Sequence, residues 1–316
     1  MTLFITFIIL IVLAILCFLI LKIDSRFIVA NSIYNAINEL EARLANLQHY
    51  STYNQKFNVQ MHYLSNVAEF DNSKPIIVLL HGFSADKYIW NRISRKLNTE
   101  YQLFTPDLLG HGDVAYRSTD NYSVPEQVRF LMDMLDKLNI QKFHIIGNSM
   151  GAFMTAKIVE LCPTRVHKSV LIDPAGIRSD YSLQMAKSTL NPFEHYNESD
   201  FFDFYDLLMA KPPYSPKFIL RAVADKYIGK REQYAHMFRD FFNPDDFFDV
   251  AHKIDASDVM LIWGKNDKLV PVADYKVWQK MLGSQTVIYD DLGHMPMVED
   301  VTKVSRHIMS FLDRTA

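Results

Sequence analysis

The 316-residue sequence predicts an α/β fold, a mostly parallel sheet flanked by helices, on three observations. Short apolar runs rich in β-branched residues alternate with helix-like stretches, the pattern of strands joined by crossover helices. Glycine is scarce, and eight of the ten (Gly82, Gly110, Gly112, Gly147, Gly151, Gly176, Gly264, Gly293) fall where such a run ends or just after it. The third observation is the stretch 143–151, Phe-His-Ile-Ile-Gly-Asn-Ser-Met-Gly, which is followed by a helix-like run over 152–161. This is Gly-x-Ser-x-Gly between a strand and a helix, a turn sharp enough to lift a serine Oγ clear of the backbone.

Taken in order, residues 3–21 are apolar except for Thr6. As a helix they span about 28 Å, close to the hydrocarbon thickness of a bilayer. No Lys or Arg precedes the run and no Ala-x-Ala site follows it, so an uncleaved anchor is expected over residues 1–26 rather than a signal peptide. Lys22 and Arg26 flank only its C-terminal side, so the expectation is a single-pass membrane protein with a cytoplasmic catalytic domain. Residues 27–56 are read as a juxtamembrane segment. In it Ile33, Ile37, Leu40, Leu44 and Leu47 recur at helical spacing, and this apolar stripe is expected to pack on the domain.

Residues 57–63 alternate like a strand, with 67–70 as the candidate partner. Residues 75–80 form a continuous apolar run, as in a strand buried on both faces. Further strands are expected at 102–106, 143–147, 169–173, 259–263 and 285–289, with helices between them. From about 177 to 254 the alternation stops and the chain reads as helical. Fifteen Phe or Tyr fall between Phe193 and Phe248, a density that marks the segment as an aromatic lid. The sheet-bearing core is then 57–176 and 255–316, with the lid inserted at 177–254.

Composition is 49% hydrophobic and 22% charged with a net charge of −3, and no basic stripe appears, so no nucleic-acid partner is expected. Cys17 and Cys162 lie in separate helical runs and do not suggest a disulfide. No HExxH, Walker or Gly-x-Gly-x-x-Gly pattern is present, so neither a metal nor a cofactor is assigned. Oligomeric state is left open.

Acyl transfer by serine needs a base, an acid that orients the base, and N–H donors for the oxyanion. Ser149, Asp267 and His294 each closely follow an expected strand, which puts all three at the carboxyl edge of the sheet. His81 and His111 also follow strands, but they precede the serine and sit in turns. Asp173 is the rival acid, and Asp267 is preferred.

The residues that carry a family resemblance are His81-Gly-Phe-Ser84, Pro106-Asp-Leu-Leu-Gly-His-Gly112, Gly147-Asn-Ser-Met-Gly151, Asp173-Pro-Ala-Gly176, Trp263-Gly-Lys-Asn-Asp267 and Gly293-His294. With the N-terminal run they make the chain resemble the α/β-hydrolase superfamily, in particular the membrane-anchored monoacylglycerol lipases and related bacterial lipases. The resemblance implies an α/β-hydrolase fold with a helical lid. It also implies backbone N–H groups of Phe83 and Met150 as the oxyanion hole. Ala152 stands where the family often has a further glycine. The implied activity is cleavage of carboxylic esters of lipids, monoacylglycerols first, with a lipid ester as partner and the membrane reached through the N-terminal helix. The alternatives are a carbon–carbon bond hydrolase of the meta-cleavage type, a general carboxylesterase, and a non-catalytic binding protein.

Overall fold

Eight strands form one sheet in this computed structural model, which describes residues 25–187, 191–248 and 258–313. They are β1 (Gln48–Asn54), β2 (Val59–Ser65), β3 (Ile76–Leu80), β4 (Gln102–Pro106), β5 (Phe143–Asn148), β6 (Val166–Ile172), β7 (Val259–Gly264) and β8 (Gln285–Tyr289). Their spatial order is β1-β2-β4-β3-β5-β6-β7-β8. From β4 to β8 every pairing is parallel, while the β1–β2 hairpin adds on antiparallel at β4.

Helices cover both faces: α1 (Ser25–Leu44), α2 (Asn91–Leu97), α3 (Val124–Lys137), α4 (Met150–Leu161), α5 (Asp180–Lys187), α6 (Glu198–Leu208), α7 (Lys217–Gly229), α8 (Arg231–Phe241), α9 (Tyr275–Leu282), α10 (Pro296–Glu299) and α11 (Val301–Leu312). Successive side chains of a strand point to opposite faces, so a strand buried on both must be apolar throughout. The structure divides β3 in that way. Ile76, Val78 and Leu80 enter the core shared with α3 and α4, whereas Ile77 and Leu79 enter the core shared with α2 and α11. Helices α5 to α8 lie between β6 and β7 in the chain, after the elbow.

Three expectations change. The single-pass membrane placement with a cytoplasmic catalytic domain is withdrawn, because among the described residues no helix is long and apolar enough to cross a membrane. The longest, α1, carries Asn31, Asn35, Asn38, Glu39, Glu41 and Arg43, whose transfer into hydrocarbon is costly. The apolar run at 3–21, with Cys17, lies outside the described residues. Second, four of the five stripe residues expected to pack inward face out: Leu40 and Leu44 are 57% and 55% exposed, Ile33 and Ile37 are exposed as well, and only Leu47, past the end of α1, is buried. Helix α1 docks instead through small and polar groups. Ala30 meets Ile219 and Ala222 of α7, Asn91 Nδ2 donates to the Asn38 carbonyl at 2.9 Å, and Arg92 pairs with Glu41 at 2.8 Å. Third, β2 pairs with Gln48–Asn54 rather than with 67–70. A strand reading Gln-His-Tyr-Ser-Thr-Tyr-Asn at a sheet edge has no apolar run to announce it, and it also ends the helical reading of 27–56 at Leu44.

Lys87, only 1% exposed, follows β3 and reaches Asp107, which follows β4 and is fully buried; the Nζ–Oδ2 distance is 2.6 Å. Burial works to lower the Lys87 pKa, but Asp107 and Asp113 outweigh it and hold the amine charged. The pair ties the loop after β3 to the end of β4. Lys87→Met leaves Asp107 buried without its counter-charge and should cost about 3–5 kcal/mol in a urea unfolding experiment, as for other broken buried pairs. A cost below about 1 kcal/mol, typical of exposed pairs, would show that the pair does not hold the loop.

Candidate active site

Ser149 sits between β5 and α4 with φ 56° and ψ −116°, a strained conformation for a residue with a side chain. The glycines on either side explain how the chain tolerates it. A Cβ on Gly147 would lie 2.2 Å from the Gly151 carbonyl oxygen, and one on Gly151 would lie 2.3 Å from that of Leu80. The turn is also tied to β6, since the Ser149 N–H donates to the Ile172 carbonyl at 2.9 Å.

Asp267 and His294 meet at this edge, as the sequence predicts. His294 Nδ1 lies 2.7 Å from Asp267 Oδ2, with both side chains almost sealed from solvent. Asp267 Oδ1 accepts from the N–H groups of Leu269 and Val270, each at 2.8 Å, which fixes the carboxylate plane. The loops bearing the acid and the base cross so closely that a Cβ on Gly264 would fall 1.9 Å from the Gly293 carbonyl oxygen. Asp173, the rival acid, lies in the same cluster. One ligand atom from each of Asp173, Asp267 and His294 lies within 4.8 Å of the others.

Two groups that sequence reasoning missed hold the His294 loop. Asn148, the residue before the serine, donates to the His294 carbonyl at 3.0 Å. Glu299 accepts from Gly293 N–H at 2.9 Å. Asn148 lay inside the elbow pattern, but its partner is 146 residues away and had no local signal.

Met150 opens α4, where first-turn N–H groups lack intrahelical acceptors, and Phe83 lies in the loop after β3. The Phe83 ring packs on Phe193 at 4.6 Å and on Phe241 at 5.5 Å between centroids. The next residue, Ser84, holds φ 61° and its hydroxyl meets Tyr227 Oη at 3.1 Å. At the other side of the site, His294 N–H donates to the Leu208 carbonyl at the end of α6. The helical insertion therefore grips both loops that flank Ser149.

His81 and His111 are structural. His81 Nδ1–H donates to the Gly82 carbonyl at 2.8 Å and Nε2 accepts from Leu108 N–H at 3.1 Å, a single neutral tautomer. Burial pushes its pKa down to about 4 and that of His111 well below the usual value. A second cluster with metal-ligand spacing, His49, His62 and Asp113, has its carboxylate paired to Lys87 at 2.6 Å, which supplies the positive charge there.

Two cavities share Ser149. One, of about 50 Å³, is lined by Phe83, Ile177, Met185, Phe238, Phe242 and Val270 among others, with Asp274 at its edge and no Lys, Arg or His among the described residues. The other, of about 320 Å³, reaches His294 and carries Asn38, Glu41, Arg92 and Lys226 in its wall.

A model of the alpha/beta hydrolase fold family matches residues 75–301. The chain is 29% identical over 243 residues to Lipase 1 of Psychrobacter immobilis, covering 74% of this chain and 76% of that protein. It is 28% identical over 262 residues to Monoacylglycerol lipase ABHD6 of Mus musculus, covering 76% of each. The solved structure of a membrane phospholipase A, described as a bacterial virulence factor, superposes with a TM-score of 0.82 at 25% identity, over 96% of this chain and 97% of that one.

Asp173 is fully buried, and that burial, reinforced by the Asp267 charge, holds its pKa well above the usual carboxylate range. The native state therefore keeps a proton that the unfolded chain releases, and this contribution to stability is lost as pH rises. Asp173→Asn, which cannot ionise, should gain in urea midpoint relative to wild type over the range above about pH 4, where the unfolded chain releases the proton. A difference that stays constant across that range would mean that Asp173 is ionised when folded.

Proposed function

The chain belongs to the alpha/beta hydrolase fold family, and we propose that it is a serine hydrolase of lipid carboxylic esters, with monoacylglycerols as first substrate. Ester hydrolysis follows from the family and its lipase relatives; the lipid and glycerol preferences are our reading. The observation that carries it is the meeting of two unlike cavities at Ser149, one apolar and one with polar walls that reaches His294.

In this reading Ser149 Oγ attacks the ester carbonyl carbon while His294 Nε2 takes its proton. Asp267, holding Nδ1–H at 2.7 Å, keeps the correct tautomer and stabilises the imidazolium. The N–H groups of Phe83 and Met150 receive the developing oxyanion. On collapse, His294 returns the proton to the leaving alcohol, so the alcohol belongs in the cavity that contains His294. The acyl chain then lies in the apolar cavity, against the aromatic insertion, which acts as a lid. Water, deprotonated by His294, cleaves the acyl-enzyme and frees the acid. A carbon–carbon bond hydrolase acting on a carboxylate-bearing substrate needs a cation near the nucleophile. Among the described residues the apolar cavity has none, and in the other Arg92 is paired with Glu41, which leaves Lys226 as the lysine that such a substrate would have to use.

Ser149→Ala should lower hydrolysis by several orders of magnitude and abolish fluorophosphonate labelling, as triad losses do elsewhere. Asp267→Asn should cost on the order of 10⁴ in kcat through the wrong histidine tautomer. Retention of more than about a tenth of activity in the serine variant would remove it as nucleophile.

Chain length tests the substrate class. On a scale of about 10–15 Å³ per water-sized group, the apolar cavity admits about four methylenes before its walls must move. With each buried CH₂ contributing about 0.8 kcal/mol, kcat/KM on glycerol monoesters should rise up to about fourfold per methylene from acetate and then level off. If acetate exceeds octanoate, a general carboxylesterase replaces the lipid reading.

A further inference from the structure

We infer that Asp173 is a positioning residue for Asp267: a neutral carboxylic acid whose O–H donates to the Asp267 carboxylate and limits the charge it presents to His294. The inference rests on the triad reading above and extends it to a fourth group.

Asp173 follows β6 in a left-handed conformation, φ 46°, which aims its side chain across the end of β7. Its N–H donates to the Ile262 carbonyl, and its Oδ1 accepts the Gly264 N–H at 2.9 Å. Its Oδ2 is buried and receives no hydrogen bond from any donor among the described residues. Beside it Asp267 accepts three N–H bonds, from Leu269, Val270 and the His294 ring, and a carboxylate has about four lone-pair sites, so one is left for a further donor. Two ionised carboxylates in contact without solvent repel strongly, so one of the pair holds a proton. The proton belongs on the carboxyl that accepts fewer N–H donors, since donors favour the charged form. Asp173 accepts one and Asp267 three. Once protonated, the orphan Oδ2 becomes a donor, and the Asp267 carboxylate is the acceptor beside it.

The other titratable groups around the pair are acidic or neutral. Glu299 of α10 acts on Asp173 in the same direction as Asp267, and Tyr181 of α5 faces Asp267. Among the described residues the charges that act on Asp173, those of Asp267 and Glu299, both favour its protonated form. The consequence falls on the base. Donation from Asp173 spreads the Asp267 charge and fixes the plane of the carboxylate that holds the His294 ring.

The test compares Asp173→Asn with Asp173→Gly, because both residues tolerate positive φ and neither adds backbone strain. An asparagine reproduces the neutral acid, accepting at Oδ1 from Gly264 and donating from Nδ2 to Asp267; it cannot reproduce a carboxylate. With a glycerol monoester as substrate, Asp173→Asn should keep kcat/KM within about threefold and leave the pH profile in place. Asp173→Gly should lose about tenfold, the worth of one hydrogen bond to a charged group. Its acid limb should move to higher pH, because an untempered Asp267 favours the imidazolium. Fluorophosphonate labelling of Ser149, read against pH, should follow the same order and reports on the site even if Asp173→Gly is thermally weakened. The inference is overturned if Asp173→Asn is as damaging as Asp173→Gly, which requires an ionised Asp173. It is also overturned if Asp173→Gly loses activity with an unmoved acid limb, the mark of a purely structural side chain. Failure of the wild type to label at Ser149 would instead remove the triad reading, and this inference with it.

Discussion

Everything at the carboxyl edge of the sheet depends on the close approach of backbone at the elbow. With only hydrogen atoms on Gly147 and Gly151, the first turn of α4 closes onto β5 and onto the carbonyl oxygens of Leu80 and His81 at the end of β3. That approach imposes the left-handed conformation of Ser149, a strain on the order of 1–3 kcal/mol. The rest of α4 offsets it many times over, since Phe153, Met154, Ile158 and Val159 are buried in the core that the helix shares with the sheet and α3. The strain is concentrated where three chain segments converge. Ser84 after β3 and Asp173 after β6 also hold positive φ, so the loops on both sides of the serine are bent as sharply as the serine itself.

The helical insertion is built into this edge. Its aromatic rings hold Phe83, its Tyr227 meets Ser84, and its backbone at Leu208 accepts from His294. Phe193 and Phe241 line the apolar cavity while they pack on Phe83, and Leu208 lines the larger cavity while its carbonyl holds His294 N–H. A shift of the apolar wall therefore pulls on the loop that carries Phe83, and a shift of α6 pulls on the loop that carries His294.

The sheet and the Asp267–His294 pair were legible because their signals are local: apolar runs of strand length, glycine at their ends, and reactive residues directly after them. What was missed depends on partners distant in sequence. Periodicity showed that α1 is a helix but not which face it buries, and its contact face proved to be Ala30 and polar groups rather than the isoleucine and leucine stripe. Strand β1 was hidden because an edge strand with one wet face needs few apolar residues. Asp173 and Asp267 were weighed as rivals because spacing along the chain does not reveal that adjacent strands β6 and β7 deliver both to one cluster.

The stretch that carries the family pattern begins at residue 75, downstream of α1 and the β1–β2 hairpin. Those earlier elements are structurally integral. The hairpin satisfies the free hydrogen-bonding edge of β4, and Tyr34, Asn38 and Glu41 close the far wall of the larger cavity. A protein trimmed to its recognisable portion would present a bare strand edge, an invitation to aggregate, and a reaction chamber open to bulk water. Similarity to relatives therefore marks where the chemistry is encoded, while the minimum self-sufficient folding unit extends well upstream of it.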